Sequence, residues 1–563
     1  VNHPRGLLVL DGLLYDLPEQ RQAVALPEGS DAQVLAELIA LHGVPAALAR
    51  VNGDFALAWL EADSGVLWLA RDPFGMRPLY HARAHGCWAA SSQPRGLLTL
   101  PGVTATPDRG FLVRYGAMHY RMIDNVPERS PYADIAQVPA ATAVRLNLEG
   151  DVTRYRYWSL TNQPDFTGSE TELAESYRAL LLDAVARRLA RFPNCAFTLS
   201  GGMDSSSVLA CAVRLEGPQI AYSSLYEDRT YDERDDIAAM LACHVADWRT
   251  VLLPNVIDLV AEVDRLIALH DEPVATATWL SHRQLCAQAG TGEFDALFGG
   301  LGGDELNAGE YEYFPFYFAD LQQSGQQDRL AREIAAWVRH HDHPIFRKTP
   351  DIAQAAIARL TDARRPGVCL SDRERLGRYL HLLTPEFAAD LDDDPVMEAP
   401  FASCLNNRTW QDLSRETLPC CIRAEDRHGA AYGIPPVLPF LDKRLVTFMY
   451  RVPGSMKIRD GVTKRLLRSA MKGLLPEATR MRIKKTGWNA PAHIWFRGRG
   501  ADELRDLVHS KAFRELELYD QKKVIAIIND HERILSKNSL EENHMMFLWA
   551  LMNVLRWRES MLA

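Results

Sequence analysis

The stretch SGGMDSSSVLA, residues 200–210, is the part of this sequence best suited to chemistry. It lies between an apolar run, residues 195–199, that predicts a strand and an apolar segment, residues 208–215, that predicts a helix. Glycine and serine at such a turn leave backbone N–H groups pointing outward, and the helix dipole favours an anion there. Asp204 would repel a phosphate unless it holds a divalent cation that bridges to it. The sequence therefore predicts a phosphate loop with a Mg²⁺ ligand.

The order Ser-Gly-Gly-x-Asp-Ser after a strand is a much more specific pattern than the one expected of a serine-rich turn that only caps a helix. It resembles the PP-loop of the ATP pyrophosphatases, which split ATP into AMP and pyrophosphate to activate an oxygen. The Walker pattern GxxxxGK[ST] does not occur at this place. The resemblance implies ATP as cosubstrate and cleavage between its α and β phosphates.

Composition excludes several classes of protein. With 563 residues, 47% hydrophobic and 24% charged, the chain is typical of globular proteins with about two to four domains. A net charge of -10 argues against a nucleic-acid surface, and no apolar run is long enough to span a membrane. The N-terminus lacks a secretory pattern, and nine scattered cysteines suggest reduced thiols. We expect a cytoplasmic protein with no nucleic-acid or membrane partner.

The elements that must position the loop fall into two predicted domains, residues 1–160 and 161–563. The first is strand-rich, with runs at 7–10, 55–60, 66–70 and 87–90 and one helix over 30–42, which is an α+β pattern. In the second, strands and helices alternate from 195 to 298, which predicts a parallel sheet with helices on both faces. The phosphate loop then lies at the carboxyl end of a strand, where such sheets bind ligands. From about residue 310 a helical extension is predicted.

Further stretches carry a wider resemblance: residues 51–56 and 69–80, Asp232-Glu233, His270–Pro273, Gly302–Glu305, Leu438–Asp442, and Arg482–Lys485 with Gly487-Trp488. On these residues the chain resembles the asparagine synthetase superfamily over nearly its whole length. In that family a glutaminase domain, an Ntn-hydrolase-like sandwich, feeds ammonia to a PP-loop synthetase domain.

The resemblance implies roles for particular residues. Asp204 and Asp304 would share Mg²⁺, and Lys484 would stabilise the charge that develops on the reacting carboxylate and phosphate. The residues expected to bind ATP or pyrophosphate are Ser200, Gly201, Gly202, Asp204, Ser205, Ser206, Leu225, Gly302, Gly303 and Lys484. A carboxylate would become an acyl-adenylate, and ammonia or an amine would then give an amide plus AMP.

The sequence departs from the family's glutaminase pattern. That activity needs cysteine as the first residue of the mature chain, whereas residue one is Val1 and the first cysteine is Cys87. Gly12 and Asp31 match the glutamine pocket, but Leu13 replaces the glutamate that would contact glutamine. We therefore expect no glutamine hydrolysis, because the activity was lost or because the natural N-terminus precedes this sequence.

Two departures concern the nucleophile. Leu301 stands where asparagine synthetases carry Glu and β-lactam synthetases Tyr, and Pro435 replaces a family Glu. Glu425 falls near the glutamate that β-lactam-forming relatives use, so it is the candidate base for a protonated amine. The alternative interpretation is a helix-surface acid that pairs with neighbouring arginines.

The main hypothesis is an amide synthetase that joins a small-molecule or peptide carboxylate to ammonia or an amine. The sequence is also compatible with a homodimer. The alternative is an intramolecular cyclase of the β-lactam or lasso-peptide macrolactam type. The presence of Asp204, Asp304 and Lys484 argues against a non-catalytic relative. The net negative charge of the chain argues against a tRNA-modifying enzyme. The aromatic stretch 310–317 either lines an acceptor pocket or belongs to the core.

Overall fold

The computed structural model describes residues 1–228, 231–389, 395–484, 490–537 and 539–562. Its N-terminal part contains a six-stranded sheet of order β1-β2-β3-β4-β8-β9 and a three-stranded sheet of order β6-β5-β7. All neighbouring strands in both sheets are antiparallel. The elements are β1 Asn2–His3, β2 Gly6–Leu14, α1 Leu17–Ala23, α2 Asp31–His42, α3 Val44–Arg50, β3 Gly53–Glu61, β4 Leu67–Arg71, β5 Tyr80–Ala84, β6 Cys87–Ser91, α4 Pro94–Leu98, α5 Arg109–Ala117, β7 Ala136–Gln137, β8 Thr142–Leu146 and β9 Val152–Arg156. We call this part the sandwich domain.

The sandwich domain forms where the sequence predicts it. Helix α2 begins with a capping box in which Ser30 and Gln33 exchange side-chain and backbone hydrogen bonds. Its apolar stripe, with Val34 and Leu38, packs on one face of the large sheet. The opposite face contacts the three-stranded sheet through residues that include Leu69 and Val144. The predicted helix and the four predicted strands are confirmed.

The second part of the chain is built on a five-stranded parallel sheet of order β12-β11-β10-β13-β14. Consecutive residues within each strand point to opposite faces of this sheet. Phe197 and Phe298 pack with helices on one face, whereas Ala196 and Leu297 pack with a helix on the other. The elements are α6 Glu170–Leu189, β10 Cys195–Thr198, α7 Met203–Glu216, β11 Gln219–Tyr226, α8 Arg234–His244, β12 Val245–Leu253, α9 Leu259–His270, α10 Trp279–Ala289, β13 Ala296–Phe298, α11 Gly303–Asn307 and β14 Pro436–Val437. The predicted parallel sheet with helices on both faces is confirmed, and we call this part the parallel-sheet domain.

Two details of the prediction were wrong. Helix α7 begins at Met203, five residues before the predicted start, because the polar residues of the loop already form its first turns while the apolar pattern begins only at Val208. Strand β14 was not predicted, since a two-residue strand that itself begins with proline carries no periodic signal.

Beyond residue 310 the described chain is mainly helical, as predicted. Tyr313, Phe314 and Tyr317 from the aromatic stretch are buried in a cluster of apolar side chains, which supports the core interpretation of that stretch. In the described part of the chain no helix is both long and apolar enough to cross a bilayer. The helices are α12 Phe314–Gln323, α13 Gln327–His341, α14 Pro350–Leu360, α15 Arg373–Leu376, α16 Pro385–Ala389, α17 Cys404–Ser414, α18 Thr417–Tyr432, α19 Lys443–Met449, α20 Gly454–Lys457, α21 Arg465–Ala470, α22 Glu477–Met481, α23 Ala492–Trp495, α24 Arg499–Val508, α25 Lys511–Leu516, α26 Gln521–Ser536 and α27 Met545–Leu562.

A buried carboxylate joins the two domains. Asp442 Oδ2 accepts hydrogen bonds from Arg188 Nη1 and from Asn52 Nδ2, each at 3.1 Å, and Asn52 belongs to the sandwich domain. Arg444 Nε donates to the other oxygen at 2.9 Å. Burial by itself would raise the pKa of Asp442, but the hydrogen bond from Arg444 and the charge of Arg188 outweigh it and hold that pKa well below its usual value. Asp442 is therefore ionised at neutral pH and fully paired.

We expect Asp442→Ala to lower the free energy of unfolding by about 3–5 kcal/mol, because it leaves the Arg188 guanidinium buried without its partner. Asp183→Ala is the matched control, since Asp183 pairs with Arg444 at the surface and its side chain is 45% exposed. Asp183→Ala should lower the free energy of unfolding by only about 0–1 kcal/mol. Denaturant unfolding followed by tryptophan fluorescence measures both, and equal costs would contradict a special role for Asp442.

Candidate functional site: two apposed glycine loops

The predicted phosphate loop connects the carboxyl end of β10 to the first turn of α7. Its shape is set by its own hydroxyl groups: the N–H of Ser200 donates to Ser205 Oγ at 3.2 Å, and the N–H of Gly202 donates to Ser200 Oγ at 3.2 Å. The N–H of Gly201 donates to Glu233 Oε2 at 3.2 Å. Ser206 Oγ is buried without a hydrogen-bond partner among the described residues. The loop is thus held in a turn that places Asp204 at the start of a helix.

A second loop, residues 299–303, lies directly against the first. A Cβ atom on Gly303 would lie 2.5 Å from the Asp204 carboxylate carbon, and one on Gly300 would lie 2.4 Å from the backbone nitrogen of Ser205. Gly302 has a φ of +88° and packs against Leu441. Any side chain at Gly300 or Gly303 would force the loops apart, so glycine there permits the close approach of Asp204 and Asp304.

Lys464 lies between the two predicted metal ligands. Its Nζ donates to Asp204 Oδ2 in a short contact and lies 2.7 Å from Asp304 Oδ1. The side chain of Lys464 is only 6% exposed, and its backbone adopts the left-handed conformation at the start of α21. Oxygens from both carboxylates therefore converge on one cation.

This donor set fits Mg²⁺. Mg²⁺ in phosphate-binding sites is usually held by one or two carboxylates, with phosphate oxygens and water completing its shell. Asp204 and Asp304 supply two carboxylates at one point, and the described residues contain no group of three or more His, Cys, Asp or Glu side chains that could hold a metal. Most of the coordination shell would then come from the nucleotide and water.

Two arginines add positive charge beside the loop. Arg482 donates to the carbonyl oxygen of Gly201 and pairs with Asp236, both in short contacts. Arg468 is buried, and burial lowers its pKa to about 10, although the Asp204 charge opposes that shift. Its guanidinium remains charged at neutral pH. Lys464, Arg468 and Arg482 thus bring three cations to the loop, alongside the carboxylates of Asp204, Asp304, Glu233 and Asp236.

The remaining predicted nucleotide residues are placed as follows. Leu225 is buried near the carboxyl end of β11, the strand beside β10. Lys484 is exposed and directly precedes residues 485–489, so Lys485, Gly487 and Trp488 of the predicted closing segment lie outside the described residues. The roles assigned to Leu225 and Lys484 stay predictions.

Glu425 is not a surface acid. It is 7% exposed on α18, and its Oε2 lies 3.1 Å from His282 Nε2. The alternative interpretation, local pairing on an exposed helix face, does not describe this side chain. Its role as a base stays a prediction, but its partner is a buried histidine that the sequence pattern did not indicate.

The predicted glutamine-pocket residues have structural partners. Asp31 accepts a hydrogen bond from the Leu14 N–H at 2.8 Å and pairs with Arg191 of the parallel-sheet domain at 2.7 Å. Gly12 has a φ of +131°, and a Cβ atom there would lie 2.0 Å from the Asp54 carbonyl oxygen. The Asp31 carboxylate is therefore engaged between the domains, which leaves it less able to hold a substrate amine.

Sequence reasoning missed Lys464 and Arg468 as parts of the site. A single lysine among 63 lysines and arginines carries no distinctive spacing, and neither residue lies within a glycine-rich stretch. Only the packing of α21 against α6 and α11 brings them to the loops.

An antiparallel sandwich ahead of a parallel sheet with two apposed glycine loops defines an amidotransferase of the ligase type. The family models agree: residues 176–559 match "Asparagine synthase" and residues 2–158 match "Glutamine amidotransferase domain". The chain belongs to the asparagine synthase family.

Curated relatives are distant. "Asparagine synthetase [glutamine-hydrolyzing] 1" of Bacillus subtilis is 22% identical over 98% of this chain and 85% of its own length. "Putative asparagine synthetase [glutamine-hydrolyzing]" of Mycobacterium bovis is 23% identical over 98% of this chain and 84% of its own length. The human "Asparagine synthetase [glutamine-hydrolyzing]" is 26% identical over 59% of each chain.

We expect Lys464→Met to lower the stability of the ligand-free protein by about 1–3 kcal/mol, because it leaves two facing carboxylates without their cation. Mg²⁺ alone should then raise the melting temperature of the variant more than that of the wild type. Lys472→Met, which removes an exposed lysine from the same region, is the control. An equal response to Mg²⁺ in all three proteins would show that the ion does not take the place of the ammonium group.

We expect Gly303→Ala to weaken binding of Mg²⁺-ATP at least about tenfold, a loss of about 1.4 kcal/mol, because the new methyl group separates the loops. Gly168→Ala is the matched control, since a Cβ atom there has only ordinary contacts, the nearest at 3.5 Å. Calorimetric titration compares the two variants. Unchanged affinity in Gly303→Ala would mean that the loops need not approach so closely.

Proposed function

We propose that this chain is an ATP-dependent ligase that adenylates a carboxylate and transfers the acyl group to ammonia or an amine. The observation that carries the proposal is the convergence of Asp204 and Asp304 on Lys464 at the mouth of the SGGMDSS loop. Membership of the asparagine synthase family supports the reaction class. The residues around the loops suit a phosphate-rich substrate, because Lys464, Arg468 and Arg482 lie beside the two carboxylates.

ATP would lie with its phosphates on the loop and its base toward the carboxyl end of β11, beside the buried Leu225. The first turn of α7 favours the negative charge of the phosphates. Asp204 and Asp304 would hold Mg²⁺, which neutralises phosphate charge and orients the phosphates when bound. Arg468 and Arg482 lie where they can stabilise the departing pyrophosphate.

The reaction has two steps. An oxygen of the substrate carboxylate attacks the α-phosphorus of ATP, and the bond to the β-phosphate oxygen breaks to release pyrophosphate. The amine nitrogen then attacks the acyl carbon, AMP leaves, and the nitrogen loses a proton. Lys464 and Lys484 would stabilise the negative charge that develops at phosphorus and at the acyl oxygen. Catalysis of this kind depends mainly on positioning and electrostatics.

A second candidate is an intramolecular cyclase that uses the same adenylation. Leu301 favours it, because the position where asparagine synthetases carry Glu is here a partly buried apolar residue packed on the core. No carboxylate is available at that position to steer ammonia. A substrate acid that carries its own amine would not need a carboxylate there to steer ammonia.

The direct test is formation of AMP and pyrophosphate from ATP and Mg²⁺ with L-aspartate and other carboxylates, with ammonium present or absent. A ligase gives amide and AMP in equal amounts only with ammonium or an added amine, whereas a cyclase gives a lactam from an amine-bearing acid alone. Asp204→Asn should reduce turnover about 10²–10³-fold. Glutamine should not replace ammonium, because Asp31 is paired with Arg191. No AMP or pyrophosphate with any acid and nucleophile would contradict the proposal.

A further inference from the structure

The N–H group of Gly201 is the point where the phosphate loop meets an acidic side chain of another element. It donates a hydrogen bond to Glu233 Oε2 at 3.2 Å. The neighbouring N–H groups of Ser200 and Gly202 donate instead to the hydroxyl oxygens of Ser205 and Ser200, which belong to the loop and to the first turn that follows it. Glu233 directly precedes α8, so its side chain reaches the loop from outside. A carboxyl group thus occupies a backbone donor of the kind that binds phosphate.

The first turn of α8 is held against the loop by a second acid. A Cβ atom on Gly201 would collide with the Asp236 Cβ atom, so the helix packs directly on the loop backbone. The backbone N–H of Asp236 donates to the Glu233 carbonyl oxygen at 3.0 Å, which fixes the spacing of the two acids. The position of Glu233 relative to the loop is therefore set by the fold of this turn.

Arg482 ties the helix turn to the loop. It donates to the carbonyl oxygen of Gly201 and pairs with Asp236, both in short contacts. Helix α22 ends directly before Arg482 and packs against both α7 and α8, which places the guanidinium at the junction of the two helices. The contacts run from Gly201 through Arg482 to Asp236 and return through Glu233. We call Glu233, Asp236 and Arg482 the acid clamp.

A phosphate on the loop would compete with Glu233 for one hydrogen. The N–H group of Gly201 has a single hydrogen to donate, and a carboxyl oxygen and a phosphate oxygen both act as acceptors for it. A phosphate oxygen that takes this hydrogen bond must displace Glu233 Oε2. The other contacts of the phosphate group then have to offset the hydrogen bond that Glu233 loses.

Lys464 and Arg482 follow the same pattern. Lys464 Nζ lies 2.7 Å from Asp304 Oδ1 and donates to Asp204 in a short contact. Arg482 pairs with Asp236. Each cation, like the loop N–H group, already has an acidic partner in the ligand-free protein. A ligand with several phosphate oxygens can replace several of these partners at once.

We propose that Glu233 is a built-in competitor of pyrophosphate. Its carboxyl group occupies the N–H group of Gly201 in the ligand-free protein, yields that group to ATP, and takes it back when pyrophosphate leaves. This inference rests on the proposed function, because cleavage of ATP to pyrophosphate is what brings that group to the loop. It deepens the function by naming a residue that acts in product release.

The exchange has a consequence for turnover. Because Glu233 must leave before a phosphate oxygen can bind at Gly201, the apparent affinity of the loop is reduced by the fraction of molecules in which Glu233 occupies it. Pyrophosphate is held less tightly than it would be by the same loop without a competing acceptor. The return of Glu233 to Gly201 therefore favours release of the product.

Calorimetric titration of the full-length protein with inorganic pyrophosphate in the presence of Mg²⁺ tests the proposal. We expect Glu233→Ala, which removes the acceptor, to bind pyrophosphate about tenfold more tightly than the wild type. Glu233→Gln should lie between the two, because an amide oxygen accepts less strongly than a carboxylate oxygen. Damage to the fold would weaken binding, so a gain in affinity separates competition from a purely structural role.

Asp235→Asn is the matched control. Asp235 lies in the first turn of α8 beside Asp236, but its side chain is exposed to solvent. The substitution removes an acidic group close to the loop, as Glu233→Gln does, and leaves the hydrogen bond to Gly201 in place. Because exposed charges are screened, it should change the affinity for pyrophosphate by less than about twofold.

A second measurement needs no ligand. Deuterium exchange followed by mass spectrometry reports how well the backbone N–H groups of residues 199–203 are protected. We expect faster exchange of this segment in ligand-free Glu233→Ala than in the wild type, because Gly201 loses its acceptor, and no change in Asp235→Asn. Unchanged exchange in Glu233→Ala would overturn the proposal, since Glu233 would then not hold the loop in solution.

The titration separates this proposal from the ligase reaction. Equal pyrophosphate affinities in the wild type and Glu233→Ala would overturn the role of Glu233, and weaker binding in Glu233→Ala would show that the acid helps to hold the ligand instead of competing with it. Neither result depends on the carboxylate substrate. Absence of AMP with every acid would contradict the ligase reaction alone and would leave the binding and exchange results valid.

Discussion

The site depends on the close approach of two carboxylates that would otherwise repel each other. Asp204 and Asp304 come from different loops, and the loops can touch only because Gly300 and Gly303 have no side chains. Lys464 offsets the repulsion by placing its ammonium group between the two acids. The same geometry suits a divalent cation with a phosphate chain, so the ligand-free arrangement already has the charge pattern that the proposed reaction needs.

The segment 438–442 links this site to the rest of the molecule. Leu441 packs against Gly302 of the second loop, and the next residue, Asp442, binds Arg188 and Asn52 at the domain junction. Neighbouring residues of one segment therefore support both the second loop and the domain junction.

Much of the fold follows from local patterns. Alternating apolar runs and the glycine loop after β10 predict a strand-rich first domain, a parallel sheet in the second and the position of the phosphate site. These signals are readable because each depends on residues close together in sequence. The early start of α7 and the two-residue strand β14 were missed, since polar first turns and very short strands lack periodicity.

The sequence by itself determined the class of site: a strand, a glycine-rich turn and an aspartate at the start of a helix. Only the tertiary structure decided which distant residues complete it. Lys464 joins Asp204 across 260 positions, and His282 on α10 joins Glu425 on α18. Ion pairs and hydrogen bonds between remote elements leave no spacing in the sequence, because they arise from how helices pack and not from local periodicity. Burial then changes what these groups do, since a charge removed from water must find a partner.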